Sequence, residues 1–174
     1  MNYLNKYSIP FHGLNEERCK YNFFVDNKFF EQFENSEIEN GQADVRVILE
    51  KNINSLVLEF DITGKVLVEC NRCLELFYLP IKYKGNIFAK IGNENFEDTN
   101  GNVHIAHTLN ELNIAQYIYE FINLSLPIKR VHPDDDNGNS LCNKEMLKKI
   151  EELSYKKLNN NINNNWNKLK DLIK

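Results

Sequence analysis

Two cysteines three positions apart are the residues of this chain whose spacing best suits metal chemistry. Cys70 and Cys73 form a C-x-x-C motif between two stretches of alternating apolar residues, which predicts a tight turn between β-strands. Two thiolates on such a turn can bind one zinc ion, but structural zinc takes four Cys or His ligands. The motif therefore supplies half of a tetrahedral site, and the other ligands must lie elsewhere in the chain.

Two later residues are the candidates for the missing ligands. Cys142 is the only cysteine after the motif, and His132 lies in a polar loop next to Pro133. The predicted zinc site therefore consists of Cys70, Cys73, His132 and Cys142. The alternative is that no metal binds, because a single C-x-x-C is a common pattern and Cys70 can pack as a small apolar side chain. A redox pair is disfavoured, since thioredoxin-type cysteines lie at a helix N-terminus.

Other polar clusters are weaker candidates for chemistry. His104 and His107 have a spacing that suits a helix, but this stretch is predicted to be loop or strand. The acidic run at 134–136 carries ligands that suit a hard cation, but a solvated turn is the preferred interpretation. The chain has no G-x-S-x-G, P-loop or G-x-G-x-x-G motif, so the sequence predicts no enzyme.

Three basic residues lie close in sequence to the predicted ligands and are the predicted RNA contacts. Arg72 lies inside the C-x-x-C motif, and Lys129 and Arg130 precede the histidine ligand. If zinc joins the two segments, these cations gather on one face, where they could bind a phosphate backbone. The alternative is that Arg72 forms a local ion pair with Glu69 or Glu75. The net charge of −4 argues against non-specific coating of nucleic acid.

The elements that would position these residues are mainly strands. Alternating apolar residues predict a short strand near Tyr21. Gly64 is predicted to separate two further strands. The predicted strands of the meander cover residues 43–50, 55–62, 65–70, 74–79 and 81–91. Short turns between them indicate an antiparallel β meander or open barrel.

Helices are predicted after the strands. Residues 92–107 are polar and predicted to be loop, whereas Thr108 and Glu111 form a capping box that predicts a helix over 109–125. Asn143 is predicted to be the N-cap of a second helix. Strands followed by helices indicate an α+β fold, with the C-terminal helices packed on the sheet.

The chain is predicted to form one domain over 1–158, followed by an Asn-rich linker and a short tail helix over 159–174. Its 174 residues and 42% hydrophobic content suffice for a sizeable core. No apolar run approaches the roughly 18 residues of a membrane span, and the N-terminus lacks a secretory signal. A cytoplasmic location is therefore expected, where cysteines serve as thiols or metal ligands.

The order of these motifs resembles the YceD family, the large ribosomal RNA subunit accumulation proteins. The strongest element is Cys-Asn-Arg-Cys-Leu-Glu at 70–75, supported by Leu-Ser-Leu-Pro at 124–127 and by Cys142 at a fitting distance. The resemblance covers most of 1–158. Many family members carry a second cysteine pair after the Leu-Pro segment, whereas here Cys142 remains and His132 lies roughly where the other cysteine would be.

The resemblance implies a small, non-catalytic factor for large ribosomal subunit biogenesis, which promotes accumulation or processing of large-subunit ribosomal RNA. Its expected partner is that RNA or its precursor, or a large-subunit ribosomal protein. The alternative is a protein-interaction module that acts through a sheet face or edge without direct RNA contact. Neither hypothesis involves a membrane or a small-molecule substrate, and zinc is the only cofactor expected.

Overall fold

A computed structural model of the chain describes residues 3–12, 18–34, 36–92, 96–97 and 103–154. These residues belong to two compact units, Met1–His132 and Pro133–Lys174. The first unit contains all the described strands and two α-helices, and the second contains one helix. The Asn-rich segment and tail helix predicted for 159–174 lie outside the described residues.

The larger sheet of the first unit is open and has six strands in the order β2-β3-β4-β5-β7-β6. The strands β3 to β5 form the predicted antiparallel meander, β2 pairs antiparallel with β3, and β7 pairs parallel with β5. Their bounds are Arg18–Val25 (β2), Gly41–Lys51 (β3), Ser55–Glu69 (β4), Leu76–Gly92 (β5), Phe96–Glu97 (β6) and Val103–Ala106 (β7). The α+β prediction is confirmed.

Alternation along the meander creates the core. Gly41 lies opposite Val66 where β3 pairs with β4, and Glu69 lies opposite Leu76 where β4 pairs with β5. Every second residue therefore faces the same side of the sheet. The buried side chains on that side include Val45, Val47, Leu49, Leu58, Phe60, Ile62, Ile81 and Ile87. Their removal from water is the main favourable term that holds the strands together.

The predicted break at Gly64 is wrong, because β4 runs through it. A Cβ atom at Gly64 would lie 2.2 Å from the backbone oxygen of Gln42 and 2.6 Å from the Cα of Ala43. Glycine here permits the close approach of β3 and β4, and it does not end a strand. β5 likewise continues through Pro80, at a place where β4 is its only described neighbour.

Two predictions between residues 92 and 113 are also wrong. The stretch predicted as loop contains β6 and β7. The predicted capping box does not begin a helix, because Glu111–Asn113 forms strand β8, which pairs antiparallel with β1 at Ser8–Pro10. This pairing provides the backbone of 111–113 with hydrogen-bond partners from a distant segment. Tertiary pairing therefore outweighs the local capping signal.

Helix α2, Ala115–Leu124, packs on the meander. Its buried residues are Ala115, Ile118 and Ile122, and the ring of Phe121 lies 5.1 Å from those of Phe60 and Tyr83. The unit also contains a 3-10 helix, Tyr3–Tyr7, and a single helical turn, α1, Asn27–Phe30.

The second unit contains helix α3, Lys144–Leu153. Asn143 is its N-cap, as predicted, and its side-chain oxygen accepts hydrogen bonds from the backbone N–H groups of Glu145 and Met146. None of the α3 side chains is buried. No described helix has the length and apolar character needed to cross a membrane.

Candidate metal centre

The C-x-x-C motif forms the turn between β4 and β5, and backbone hydrogen bonds close it. The N–H of Leu74 donates to the carbonyl of Cys70 at 2.9 Å, and the N–H of Cys70 donates to the carbonyl of Glu75 at 3.0 Å. Leu74 has a φ of 63°, a left-handed conformation that a leucine rarely adopts. The turn thus brings Cys70 and Cys73 to one place, as their spacing predicts.

Asn71 binds the segment that carries the predicted histidine ligand. Its backbone N–H donates to the carbonyl of Arg130 at 2.7 Å, and its side-chain oxygen accepts from the N–H of Arg130 at 2.6 Å. Two residues later, Nδ1 of His132 lies 3.4 Å from Sγ of Cys73, and its ring packs 4.5 Å from that of Phe77. Sequence reasoning missed Asn71, whose only local signal is a polar side chain inside the motif.

The four predicted ligands form one group of three cysteines and one histidine. The potential ligand atoms of Cys70, Cys73, His132 and Cys142 all lie within 4.8 Å of one another. Ligands at about 2.3 Å from a tetrahedral zinc are about 3.8 Å apart, so the group needs to contract by about 1 Å at most. The three cysteines are 0%, 2% and 3% exposed and form no disulfide. The group therefore has the composition and the spacing to hold a metal ion.

The surroundings of Cys70 favour the form of sulfur that binds metal. Burial raises the pKa of this thiol, but hydrogen bonds from the N–H groups of Cys73, Arg72 and His132, and from the His132 ring, outweigh burial. The pKa is therefore lowered well below its ordinary value of 9.0. Thiolates together with an imidazole are a ligand set that suits zinc.

The predicted RNA contacts differ in their surroundings. Arg72 and Lys129 are exposed. Arg130 is half-buried, and its Nη1 and Nη2 atoms each lie 3.3 Å from Oε2 of Glu37. The side chains of Arg72 and Lys129 are therefore accessible at the surface, whereas the guanidinium of Arg130 binds the Glu37 carboxylate.

The weaker candidates do not form a second centre. His104 is half-buried on β7, and His107 lies in the turn that follows it. Within the described residues, neither belongs to a group of three or more potential metal ligands. Asp135 accepts hydrogen bonds from the backbone N–H groups of Asn137 and Asn139, so the acidic run forms a turn.

The family model described as "Large ribosomal RNA subunit accumulation protein YceD" matches residues 58–173. The chain belongs to the YceD family. The matched region contains all four potential ligands and Arg72, and it confirms the resemblance inferred from 70–75 and 124–127. The name of the YceD family supports a role in large-subunit biogenesis. No curated protein and no solved structure matches the chain.

Proposed function

We propose that this YceD-family protein is a non-catalytic cytoplasmic factor that binds large-subunit ribosomal RNA or its precursor. By binding, it promotes accumulation or processing of that RNA. The family match supports the role in subunit biogenesis. The observation that supports direct RNA binding is the exposure of Arg72 on a turn whose backbone is held by hydrogen bonds.

The group formed by Cys70, Cys73, His132 and Cys142 is proposed to hold one structural zinc ion. Support comes from the buried sulfurs, the low pKa of the Cys70 thiol and the spacing of the ligand atoms. A bound zinc would add a strong constraint to the turn. A constrained turn would hold Arg72 near one position. Less conformational entropy would then be lost when Arg72 binds RNA.

Arg72 suits a phosphate backbone better than a lysine would at the same place. Its planar guanidinium presents several donors to phosphate oxygens and can stack on a base. Lys129, which is also exposed, adds a second cation to the proposed contact. Arg130 contributes only if RNA displaces Glu37 from its guanidinium.

Elemental analysis of the purified full chain tests the zinc proposal. The wild-type protein should contain about one zinc ion per chain, and Cys73→Ser should lose it, because one of four ligands is removed. Cys19→Ser is the matched control, since Cys19 forms no disulfide and lies outside the group. Wild-type protein without metal, or Cys73→Ser with full zinc, would contradict the proposal.

Salt-dependent RNA binding tests the role of Arg72. Arg72→Glu should weaken binding of a large-subunit ribosomal RNA fragment, and the slope of log affinity against log salt should fall by about 0.7 to 0.9. Lys28→Glu is the control, because Lys28 is an exposed cation on α1. Equal salt slopes for wild type and Arg72→Glu would exclude the contact.

The second candidate function is a protein-interaction module. Leu74 and Leu76 are 58% and 62% exposed beside the same turn, and exposed apolar side chains favour protein contacts. Crosslinking in cells separates the two candidates. RNA adducts at Arg72 or Lys129 support direct RNA binding, whereas adducts to a ribosomal protein alone support the second candidate.

A further inference from the structure

Strand β5 has an outward side that is basic and aromatic. Its even-numbered residues from 76 to 90 point away from the core, since the residues between them are buried or half-buried. The strand contains three lysines and no acidic residue, although the chain carries a net charge of −4. Two aromatic side chains, Tyr78 and Phe88, lie near its ends and are 51% and 52% exposed.

On the neighbouring strand β4, an acidic residue lies directly opposite one of the three lysines. The register places Thr63 beside Lys82 and Ser55 beside Lys90, so neither lysine is directly opposite an acidic residue. Lys84 differs, because its Nζ lies 3.6 Å from a carboxylate oxygen of Asp61. Lys82 and Lys90 are therefore the cations of β5 best placed to meet an anionic partner.

Apolar and cationic neighbours support the two aromatic rings. Leu67 lies opposite Tyr78, and Val57 lies opposite Phe88. The Nζ atom of Lys65 lies 5.1 Å from the centroid of the Tyr78 ring, which adds a cation on the same face. Aromatic rings held on a sheet face among cations are the arrangement with which proteins stack unpaired bases and bind the phosphates between them.

Protection of a strand edge explains only part of this pattern. Between residues 76 and 88, β4 is the only described strand that pairs with β5, and lysines often prevent such an edge from pairing with another chain. Half-exposed rings at Tyr78 and Phe88 have the opposite effect, because they favour association. An anionic partner with stacking surfaces accounts for both the lysines and the rings.

We propose that Tyr78, Lys82, Phe88 and Lys90, here named the β5 row, bind a single-stranded segment of RNA. The rings stack on bases, and the lysines bind phosphates. Tyr78 and Phe88 are about 33 Å apart along an extended strand, so the bound segment spans several nucleotides. This inference rests on the proposed RNA-binding function and adds a surface separate from Arg72.

Fluorescence anisotropy with the full chain and a single-stranded RNA of about 12 nucleotides tests the β5 row. Tyr78→Ala and Phe88→Ala should each weaken binding about tenfold, whereas Tyr78→Phe should keep the affinity because it keeps the stacking ring. Lys82→Ala and Lys90→Ala should each lower the salt slope by about 0.7. Lys28→Ala is the control, and thermal melts check that each variant is folded.

The possible outcomes separate this inference from the proposed function. If the wild-type chain does not bind the RNA, both fail. If it binds and Arg72→Glu weakens binding while the four alanine variants bind normally, only the β5 row is excluded. If the alanine variants lose affinity and Arg72→Glu does not, the β5 row is supported and the Arg72 contact is rejected. If the variants lose stability but each folded molecule binds RNA with normal affinity, the β5 row has a structural role and the RNA-binding inference is rejected.

Discussion

The meander β3–β5 and the cysteine turn at one end of it are stabilised in different ways. The meander buries alternate side chains on one face and pairs its backbone along the full length of the strands. The turn, by contrast, exposes Asn71, Arg72 and Leu74, and a few hydrogen bonds close it. From this difference we expect the sheet to fold without a metal ion, whereas the proposed zinc ion would add to the hydrogen bonds that hold the turn.

The largest effect is expected in the core of the meander. Phe60 is buried, and its ring contacts that of Phe121 on α2. Phe60→Ala should lower the free energy of unfolding by about 3 to 5 kcal/mol, because it leaves a cavity. Urea unfolding with and without a zinc chelator measures this loss. A loss that disappears in the chelator would contradict independent stabilisation of the sheet.

A smaller effect is expected where β3 and β4 approach each other. Gly64→Ala should lower the free energy of unfolding by about 1 to 3 kcal/mol, because its Cβ would lie 2.2 Å from the backbone oxygen of Gln42. Gly92→Ala is the matched control, since a Cβ there meets no atom within 4 Å. Equal unfolding midpoints for the two variants would reject the close-approach explanation.

In the turn, Asn71→Ala should affect metal binding more than stability. It removes the side-chain acceptor for the Arg130 N–H, which costs about 1 kcal/mol. Because this contact positions His132, zinc affinity should fall about 10- to 100-fold. Competition with a chromophoric chelator measures the affinity, and Asn71→Asp, which keeps an oxygen acceptor, should retain more of it. Unchanged zinc affinity in Asn71→Ala would show that Asn71 does not position the histidine ligand.

The smallest effect on stability is expected at Arg72. Because its side chain is exposed, Arg72→Ala should change the free energy of unfolding by no more than about 0.5 kcal/mol. Chemical denaturation of the zinc-loaded protein measures it. A loss above about 1 kcal/mol would instead support a structural ion pair with Glu69 or Glu75, and it would weaken the proposal that Arg72 contacts RNA.

Much of the fold could be predicted because its signals are local. Alternation along 43–91 places apolar side chains on one face whatever the neighbours are, so strand structure is predicted correctly for most of this stretch, although the predicted divisions at Gly64 and Pro80 are wrong. The end of α2 before Pro127 and the N-cap at Asn143 also depend on a few adjacent residues. The errors at Gly64 and at the capping box have another cause, since strands distant in sequence determine both.

In the candidate metal centre, too, some features follow from local sequence and others from tertiary structure. The sequence by itself determined that Cys70 and Cys73 lie on one turn, because the motif and its flanking strands are contiguous. For His132 and Cys142, the sequence indicated only that their side chains can bind a metal, and not that they approach the turn. The tertiary structure alone decided how the histidine segment reaches the turn, through two hydrogen bonds between Asn71 and Arg130. It also decided which lysines of β5 have no acidic residue directly opposite on β4, because that depends on the register between strands and not on residues adjacent in sequence.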